Sequence, residues 1–210
     1  MTVFGWLFAP AKGSLSLYGG LPIFTGPVEM MGVTIHLAMM GGLVVAFPVA
    51  TVGVYQLVSP LLSRKQRRFV KLVLPATFVC YLSGVAFAYF VMLPFGLRFL
   101  LNFGEGIAVP LINIKEYMSL VTAMVFWLGV IFELPPVMFL LTKLSLVRYE
   151  QFRRVRKYVP ASAFVLSAII TPTFDPASST MVALPIILLY EIGLALAWIA
   201  RPRQKKPRHV

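Results

Sequence analysis

The chain has 210 residues, of which 59% are hydrophobic and only 12% are charged, and its mean hydropathy is +0.86. A soluble domain carries about a quarter charged residues, so this composition excludes an ordinary soluble protein and indicates an integral membrane protein. The net charge of +12 does not indicate nucleic acid as a partner, because the basic residues gather at the ends of apolar runs. The single cysteine, Cys80, excludes an intrachain disulfide.

The distribution of positive charge predicts how the chain is oriented in the membrane. Of the 19 lysines and arginines, 16 fall in three blocks, within residues 64–71, 143–157 and 201–208. Positive charge on alternate loops is the orientation signal of a multi-span membrane protein, and those loops lie in the cytoplasm. We therefore expect residues 201–210 to form a basic cytoplasmic tail.

The first 29 residues are expected to lie on the outer side. They combine aromatic residues with glycines and prolines, which makes them too interrupted for a span, and they include Glu29. They also lack the basic start and compact apolar core of a signal peptide. A chain that begins outside without such a signal predicts a preceding span that is absent from these 210 residues. The DNA upstream of Met1 tests this expectation.

Two uncharged runs follow. Residues 31–60 form the first predicted span, with a bend near Pro48, and residues 72–97 form the second. Both are long enough to cross a hydrocarbon layer of about 30 Å at about 1.5 Å per residue.

The third predicted span, residues 117–142, has Glu133 as its only charged residue. By helix length Glu133 lies near the middle of the membrane, where a charge costs roughly 3 kcal/mol on insertion scales. Pro135 and Pro136 also remove the backbone donors for the carbonyls four residues earlier. We interpret Glu133 as an intramembrane polar site. The alternative is a protonated glutamate, hydrogen-bonded to its own chain or a neighbouring helix, beside a simple kink.

The last third of the chain predicts a surface segment and a short hairpin. Residues 143–158 alternate apolar and basic positions, which fits either a helix on an anionic inner membrane face or a solvated basic loop. Spans at 159–172 and 177–200 follow, and the first is too short to cross a normal bilayer without thinning it. Glu191, on the last span, is either a second intramembrane carboxylate or a group near the headgroups.

The predicted fold is therefore all-α and integral to the membrane. It is a single membrane domain over residues 1–210, with five kinked transmembrane helices that end in a short helical hairpin. Haem and metal sites are not expected, because the only histidines are His36 and His209 and no Cys/His cluster occurs. No nucleotide-binding or hydrolase motif is found, so we expect no catalytic residue and no cofactor. His36 is expected to be a hydrogen-bonded polar side chain.

Seven short stretches, in their order and spacing, resemble those of the TatC family, the multispanning subunit of the twin-arginine protein translocase. They are Gly26-Pro27-Val28-Glu29, Arg67-Arg68, Ala86-Phe87-Ala88-Tyr89-Phe90, Gly129-Val130-Ile131-Phe132-Glu133-Leu134-Pro135, Arg156-Lys157-Tyr158, Thr171-Pro172 with Asp175 and Ser178, and Leu189-Tyr190-Glu191-Ile192-Gly193. The resemblance covers about residues 20 to 200. It implies six spans with both ends in the cytoplasm, which fits five spans here and one missing.

The resemblance also implies a function. The family is a receptor, not an enzyme, that binds the paired arginines of signal peptides and associates with single-span TatA/TatB-type partners. Folded proteins then cross the membrane, driven by the proton-motive force. The basic inner loops also predict contact with acidic membrane lipid, and further copies of the chain are an additional expected partner. Bacterial, archaeal and organellar membranes all host this family, and we expect a bacterial or archaeal cell membrane here.

The resemblance assigns roles to particular residues. These are an intramembrane polar site that contacts partner helices (Glu133), partner-helix docking (Asp175, Ser178), a signal-peptide loop (Gln66, Arg67, Arg68), the structured outer loop (Glu29) and inner polar positions (Glu191, Tyr158). The chain departs from the family at Gln66, where a glutamate is usual. It also lacks the acidic motif of the family's cytoplasmic N-terminus.

Two other function classes remain open at this stage. The first is a proton-coupled carrier of small solutes, with Glu133 as its proton site. The second is a passive membrane anchor for a larger complex. Carriers are commonly built from internal repeats, and this sequence has none.

Overall fold

The computed structural model describes residue 23 and residues 26–102, 113–171 and 176–201. Eight α-helices account for most of these residues. They are α1 (Pro27–Val58), α2 (Arg64–Phe87), α3 (Leu93–Asn102), α4 (Ile114–Ile131), α5 (Leu134–Lys143), α6 (Tyr149–Val155), α7 (Val159–Ile170) and α8 (Pro176–Ile199). Short 3-10 turns cover Ser59–Leu61 and Arg156–Tyr158, and a π-helical segment covers Ala88–Met92. The predicted all-α fold is confirmed.

Four continuous helical stretches in the described residues are long and apolar enough to cross a membrane: Val28–Val58, Arg64–Phe99, Ile114–Lys143 and Ser178–Ile199. The fourth predicted span, residues 159–172, corresponds to α7, which has only 12 residues and is not among these four. The helices begin earlier than the predicted spans do, since α1 starts at Pro27 and α2 at Arg64. The first basic block is therefore helical, because Ser63 and Gln66 form a capping box at the start of α2.

Helix α4 lies at the centre of the described bundle. It packs against α1 on one side and against α2 on another, and α7 also contacts it. Its inward side chains, among them Met118, Val121 and Leu128, have no exposed surface. The largest buried cluster of the described residues is built around them.

Helix α8 forms a second centre of packing, against α5 and α7. Met138 of α5 and Leu194 and Ala197 of α8 form a small buried cluster, which Phe152 of α6 and Tyr190 partly cover. The Tyr190 hydroxyl donates a hydrogen bond to the Phe152 carbonyl over 2.8 Å. The basic segment after α5 is therefore folded onto the bundle and is not a freely solvated loop.

A single tyrosine joins the three helices α1, α2 and α4. Tyr81 of α2 is only 1% exposed, and its ring stacks on Phe47 of α1 with centroids 5.1 Å apart. Its hydroxyl donates to the carbonyl of Val44 over 2.9 Å. That carbonyl lies four residues before Pro48, which has no N–H to offer it. Tyr81 thus satisfies the backbone acceptor that the predicted bend of α1 leaves open.

This pairing predicts that Tyr81→Phe and Pro48→Ala are energetically coupled. Tyr81→Phe alone should lower the free energy of unfolding by about 1 kcal/mol, because the Val44 carbonyl loses its donor. In a Pro48→Ala background the amide of residue 48 can bond that carbonyl, so the same substitution should cost less. Equilibrium unfolding of the four proteins in mixed micelles measures the coupling. An equal cost in both backgrounds would show that the proline and the tyrosine are independent.

Candidate functional site

The candidate site is the break between α4 and α5, where Glu133 lies. Helix α4 ends at Ile131 and α5 begins at Leu134. The amide of Glu133 bonds the carbonyl of Val130, three residues back, over 3.1 Å, and its carbonyl accepts from the amide of Val137 over 3.0 Å. The tightened turn and the two prolines that follow it explain the break, because the proline rings supply no donors to the preceding turn.

Glu133 is only 7% exposed, and its carboxyl oxygens retain part of that accessible surface. Within the part of the chain that the structure describes, its carboxyl group makes no hydrogen bond and no ion pair. The alternative of a glutamate bonded to its own chain or a neighbouring helix is therefore not what the described residues show. A carboxyl group at this depth without a hydrogen-bond partner is costly, which makes Glu133 the candidate site residue of the break.

Three glycines let the helices close around the break. A Cβ atom on Gly84 of α2 would lie 2.7 Å from the Phe132 Cβ and 2.8 Å from the Leu128 carbonyl oxygen. One on Gly129 would lie 2.8 Å from the ring of Tyr81. The third glycine, Gly193 of α8, faces Met138 and the Cα of Pro135 at similar closeness. Side chains at these positions would push α2 and α8 away from the break.

An apolar groove of about 430 Å³ opens beside the prolines, between α2, α5 and α8. Its lining residues are Val73, Ala76, Cys80, Phe132, Pro135, Pro136, Phe139, Leu189, Ile192 and Leu196. Glu133 is not among them. The break therefore presents an apolar face, formed by Phe132, Pro135 and Pro136, toward this groove.

Gln66 connects the first basic block to the end of α5. Its side-chain oxygen accepts from the amide and hydroxyl of Ser63, over 3.0 and 2.9 Å, which completes the cap of α2. Its amide nitrogen donates to the carbonyl of Leu144 over 3.3 Å. A glutamate would keep the cap but has no N–H for Leu144, so the glutamine at this position joins the start of α2 to the end of α5.

The two arginines that follow Gln66 have different surroundings. Arg67 donates from Nη2 to the hydroxyl of Ser59 over 3.2 Å, which fixes the turn between α1 and α2. Arg68 is exposed on the first turns of α2. The three predicted signal-peptide loop residues thus lie together, but Gln66 and Arg67 are also engaged in holding the loop.

Both acidic residues described near the basic blocks are paired with arginines. Glu191 Oε1 accepts from Arg156 Nε over 2.7 Å, and Glu150 lies 3.5 Å from an Arg201 nitrogen. The Arg201 guanidinium also lies 3.5 Å above the ring of Tyr149. Glu191 is partly exposed and held by a basic-block arginine, which supports its placement near the headgroups.

The remaining predicted residues lie at several separate places. Tyr158 is exposed and lies under the Lys157 ammonium group at 4.9 Å. Glu29, expected in an outer loop, lies in the first turn of α1, where a carboxylate interacts favourably with the helix dipole. Ser178 lies at the start of α8. Asp175 falls outside the described residues.

Some structural contacts were not accessible from sequence patterns. Pro48 predicts that the Val44 carbonyl lacks its helical donor, because a proline has no N–H for the carbonyl four residues earlier. No sequence pattern identifies the Tyr81 hydroxyl as the donor that replaces it. His36 of α1 lies 3.0 Å from the hydroxyl of Thr122 of α4. This confirms the expectation that His36 is a hydrogen-bonded polar side chain.

The fold and the geometry of the break define the class of protein to which the chain belongs. It is a multi-span helical membrane protein with a buried carboxyl group at a proline break, enclosed by closely packed glycines. The chain matches the model of the family described as Sec-independent protein translocase protein (TatC), over residues 1–185. It therefore belongs to the TatC family, the twin-arginine translocase subunit that the sequence motifs resemble.

Individual relatives agree with that assignment. The chain is 30% identical over 182 residues to the Sec-independent protein translocase protein TatC of Carboxydothermus hydrogenoformans, covering 87% of this chain and 75% of that protein. It is 34% identical over 187 residues to the TatC protein of Aquifex aeolicus, covering 88% and 77%. A crystal structure of the twin-arginine translocase receptor TatC superposes with a TM-score of 0.84 at 32% identity, covering 94% of this chain and 86% of that one.

The glycine contacts yield a prediction with its own control. Gly84→Ala should lower the free energy of unfolding by about 1–3 kcal/mol, because the new Cβ meets backbone and Cβ atoms that cannot move aside. Gly53→Ala, with nothing within 4 Å of its Cβ, should be neutral or slightly stabilising, since alanine is the better helix former. Unfolding in mixed micelles compares the two variants. Equal changes in the free energy of unfolding would show that the close approach of α2 and α4 at Gly84 does not contribute to stability.

Proposed function

We propose that this chain is the receptor subunit of a twin-arginine translocase. It recognises twin-arginine signal peptides, assembles with single-span TatA/TatB-type partners, and moves folded proteins across a membrane with the proton-motive force. The family assignment supports this role over a solute carrier or a passive anchor. The single structural observation that carries it is Glu133, a buried carboxyl group without a partner among the described residues, at a break between two helices.

The proposed orientation places all three basic blocks in the cytoplasm. Gln66 of the first block bonds Leu144 at the start of the second, and Arg201 of the third contacts Glu150 and Tyr149 within the second. The described residues of the three blocks, which for the third block means Arg201 alone, therefore meet at one end of the bundle, and this supports a common side of the membrane. Under this proposal the hairpin of α7 and α8 turns toward the outer side, and Glu29 and Asp175 lie there.

The signal peptide is proposed to bind at this inner end. Paired arginines require carboxylates in bidentate geometry. Glu150 suits this role best, because its 3.5 Å pair with Arg201 is exposed and can exchange one arginine for another. Gln66 orients the loop through Leu144, while Arg67 and Arg68 flank the proposed binding surface. Glu191 and Tyr158 complete its polar rim on the α7 side.

Partner helices are proposed to meet the bundle at Glu133 and at the outer hairpin. A polar side chain of a partner helix would supply the hydrogen bond that Glu133 lacks among the described residues, which in a low-dielectric environment favours association. Ser178 at the start of α8, with Asp175 beside it in sequence, is the proposed docking point at the outer end. Both contacts would be made with single-span partners, so the chain alone would not complete the site.

Export of a folded reporter tests the proposed function. Glu133→Ala should reduce export of a reporter with a twin-arginine signal peptide roughly tenfold, because a partner-helix contact is lost, while membrane insertion stays intact. Glu116→Ala is the matched control, since Glu116 is an exposed acid in the first turn of α4 and should leave export unchanged. A twin-lysine signal peptide reports background export.

Two outcomes count against the proposal. Unchanged export by the Glu133→Ala protein would reduce Glu133 to a structural role. Equal export of twin-arginine and twin-lysine reporters by the unsubstituted protein would remove the receptor function itself.

A further inference from the structure

A second groove, of about 450 Å³, lies where α6, the turn after it, α7 and α8 converge. Its lining residues are Arg153, Arg156, Lys157, Val159, Pro160, Ile187 and Glu191. The groove is thus basic along one side and apolar along the other. The signal-peptide surface proposed above includes Glu191, on the rim of this groove, but neither Arg153 nor Lys157.

The charges of the groove leave a net attraction for anions. Glu191 neutralises Arg156 through the 2.7 Å ion pair, which also holds that guanidinium in place. Arg153 and Lys157 carry the remaining positive charge, and both are exposed. The cationic side would repel the paired arginines of a signal peptide, so this groove and the proposed peptide surface select opposite charges.

The apolar side of the groove continues along both helices. Phe164 lies four residues after Pro160 on α7, and Leu184 lies three residues before Ile187 on α8, so each pair shares one helix face. Phe164 is 42% and Leu184 54% exposed. Exposed apolar side chains about one turn further along α7 and α8 therefore extend the apolar side of the groove away from its basic rim, and we call this the apolar track.

We propose that this groove binds one anionic glycerophospholipid. Its phosphate diester would lie between Arg153 and Lys157, and an acyl chain would follow the track past Pro160 and Ile187. Charge complementarity supports the headgroup contact, since each basic side chain near a membrane surface favours anionic lipid. The apolar track distinguishes a lipid from a soluble phosphate, which would gain nothing from it. The inference goes beyond the proposed receptor function and requires only that the second basic block lies at headgroup depth.

Native mass spectrometry of the delipidated full chain in detergent tests this site. Phosphatidylglycerol should bind more tightly than phosphatidylcholine with the same acyl chains. Arg153→Gln/Lys157→Gln should weaken phosphatidylglycerol binding roughly tenfold while leaving the Arg156–Glu191 pair in place. The charge-preserving swap Arg153→Lys/Lys157→Arg should restore it. The matched control is Arg148→Gln/Arg154→Gln, which removes two exposed charges from the same segment outside the groove and should retain binding.

Three results would overturn the proposal. Equal loss of binding in the groove variant and the control would show diffuse attraction to the whole basic segment. Unchanged binding in the groove variant would place the lipid elsewhere. Displacement of phosphatidylglycerol by millimolar inorganic phosphate would identify a free-anion site instead. Thermal unfolding of each variant distinguishes a loss of lipid binding from a loss of fold. The experiment contains no signal peptide and no partner protein, so its failure would not count against the receptor proposal.

Discussion

The structure depends on two missing backbone donors in the middle of a membrane helix. Pro135 and Pro136 cannot continue the hydrogen-bond ladder of α4, so the helix breaks at Phe132 and Glu133 and resumes as α5. An exposed break would leave backbone carbonyls unsatisfied in hydrocarbon, so neighbouring helices must close over it. Gly84 and Gly193 permit that closure, because neither places a side chain between its own helix and the break.

The same principle operates at α1, on a smaller scale. Pro48 frees the Val44 carbonyl, and the hydroxyl of Tyr81 fills it from α2. Tyr81 in turn packs on Gly129, one turn before the break in α4. Tyr81 thus contacts both places where a proline interrupts the helical hydrogen bonds, one in α1 and one after α4. These contacts fix the relative positions of the helices at the centre of the bundle, where few polar contacts occur among the described residues.

The all-α membrane fold followed from the sequence, but the pairing of side chains did not. Membrane insertion depends on the length of uncharged runs and on the position of basic residues, and both are visible in the sequence. The isolated Glu133 is visible in the same way. The start of α2 at Arg64 was not predicted, because hydropathy identifies only the apolar part of a helix. The charged first turns of α2 are helical because Ser63 and Gln66 cap them. The pairs Arg156–Glu191 and Gln66–Leu144 join residues 35 and 78 positions apart, and no local pattern selects such partners.

The break sets the shape of the bundle, and the central claim is that this shape serves translocation and not stability. The most direct measurement compares stability and export in one Pro135→Ala/Pro136→Ala protein. Restoring the backbone donors should change the free energy of unfolding by only about 1 kcal/mol, because both prolines lie in the first turn of α5, where proline is tolerated, while export of a twin-arginine reporter falls. Export at the level of the unsubstituted protein, from a chain at least as stable, would contradict the account.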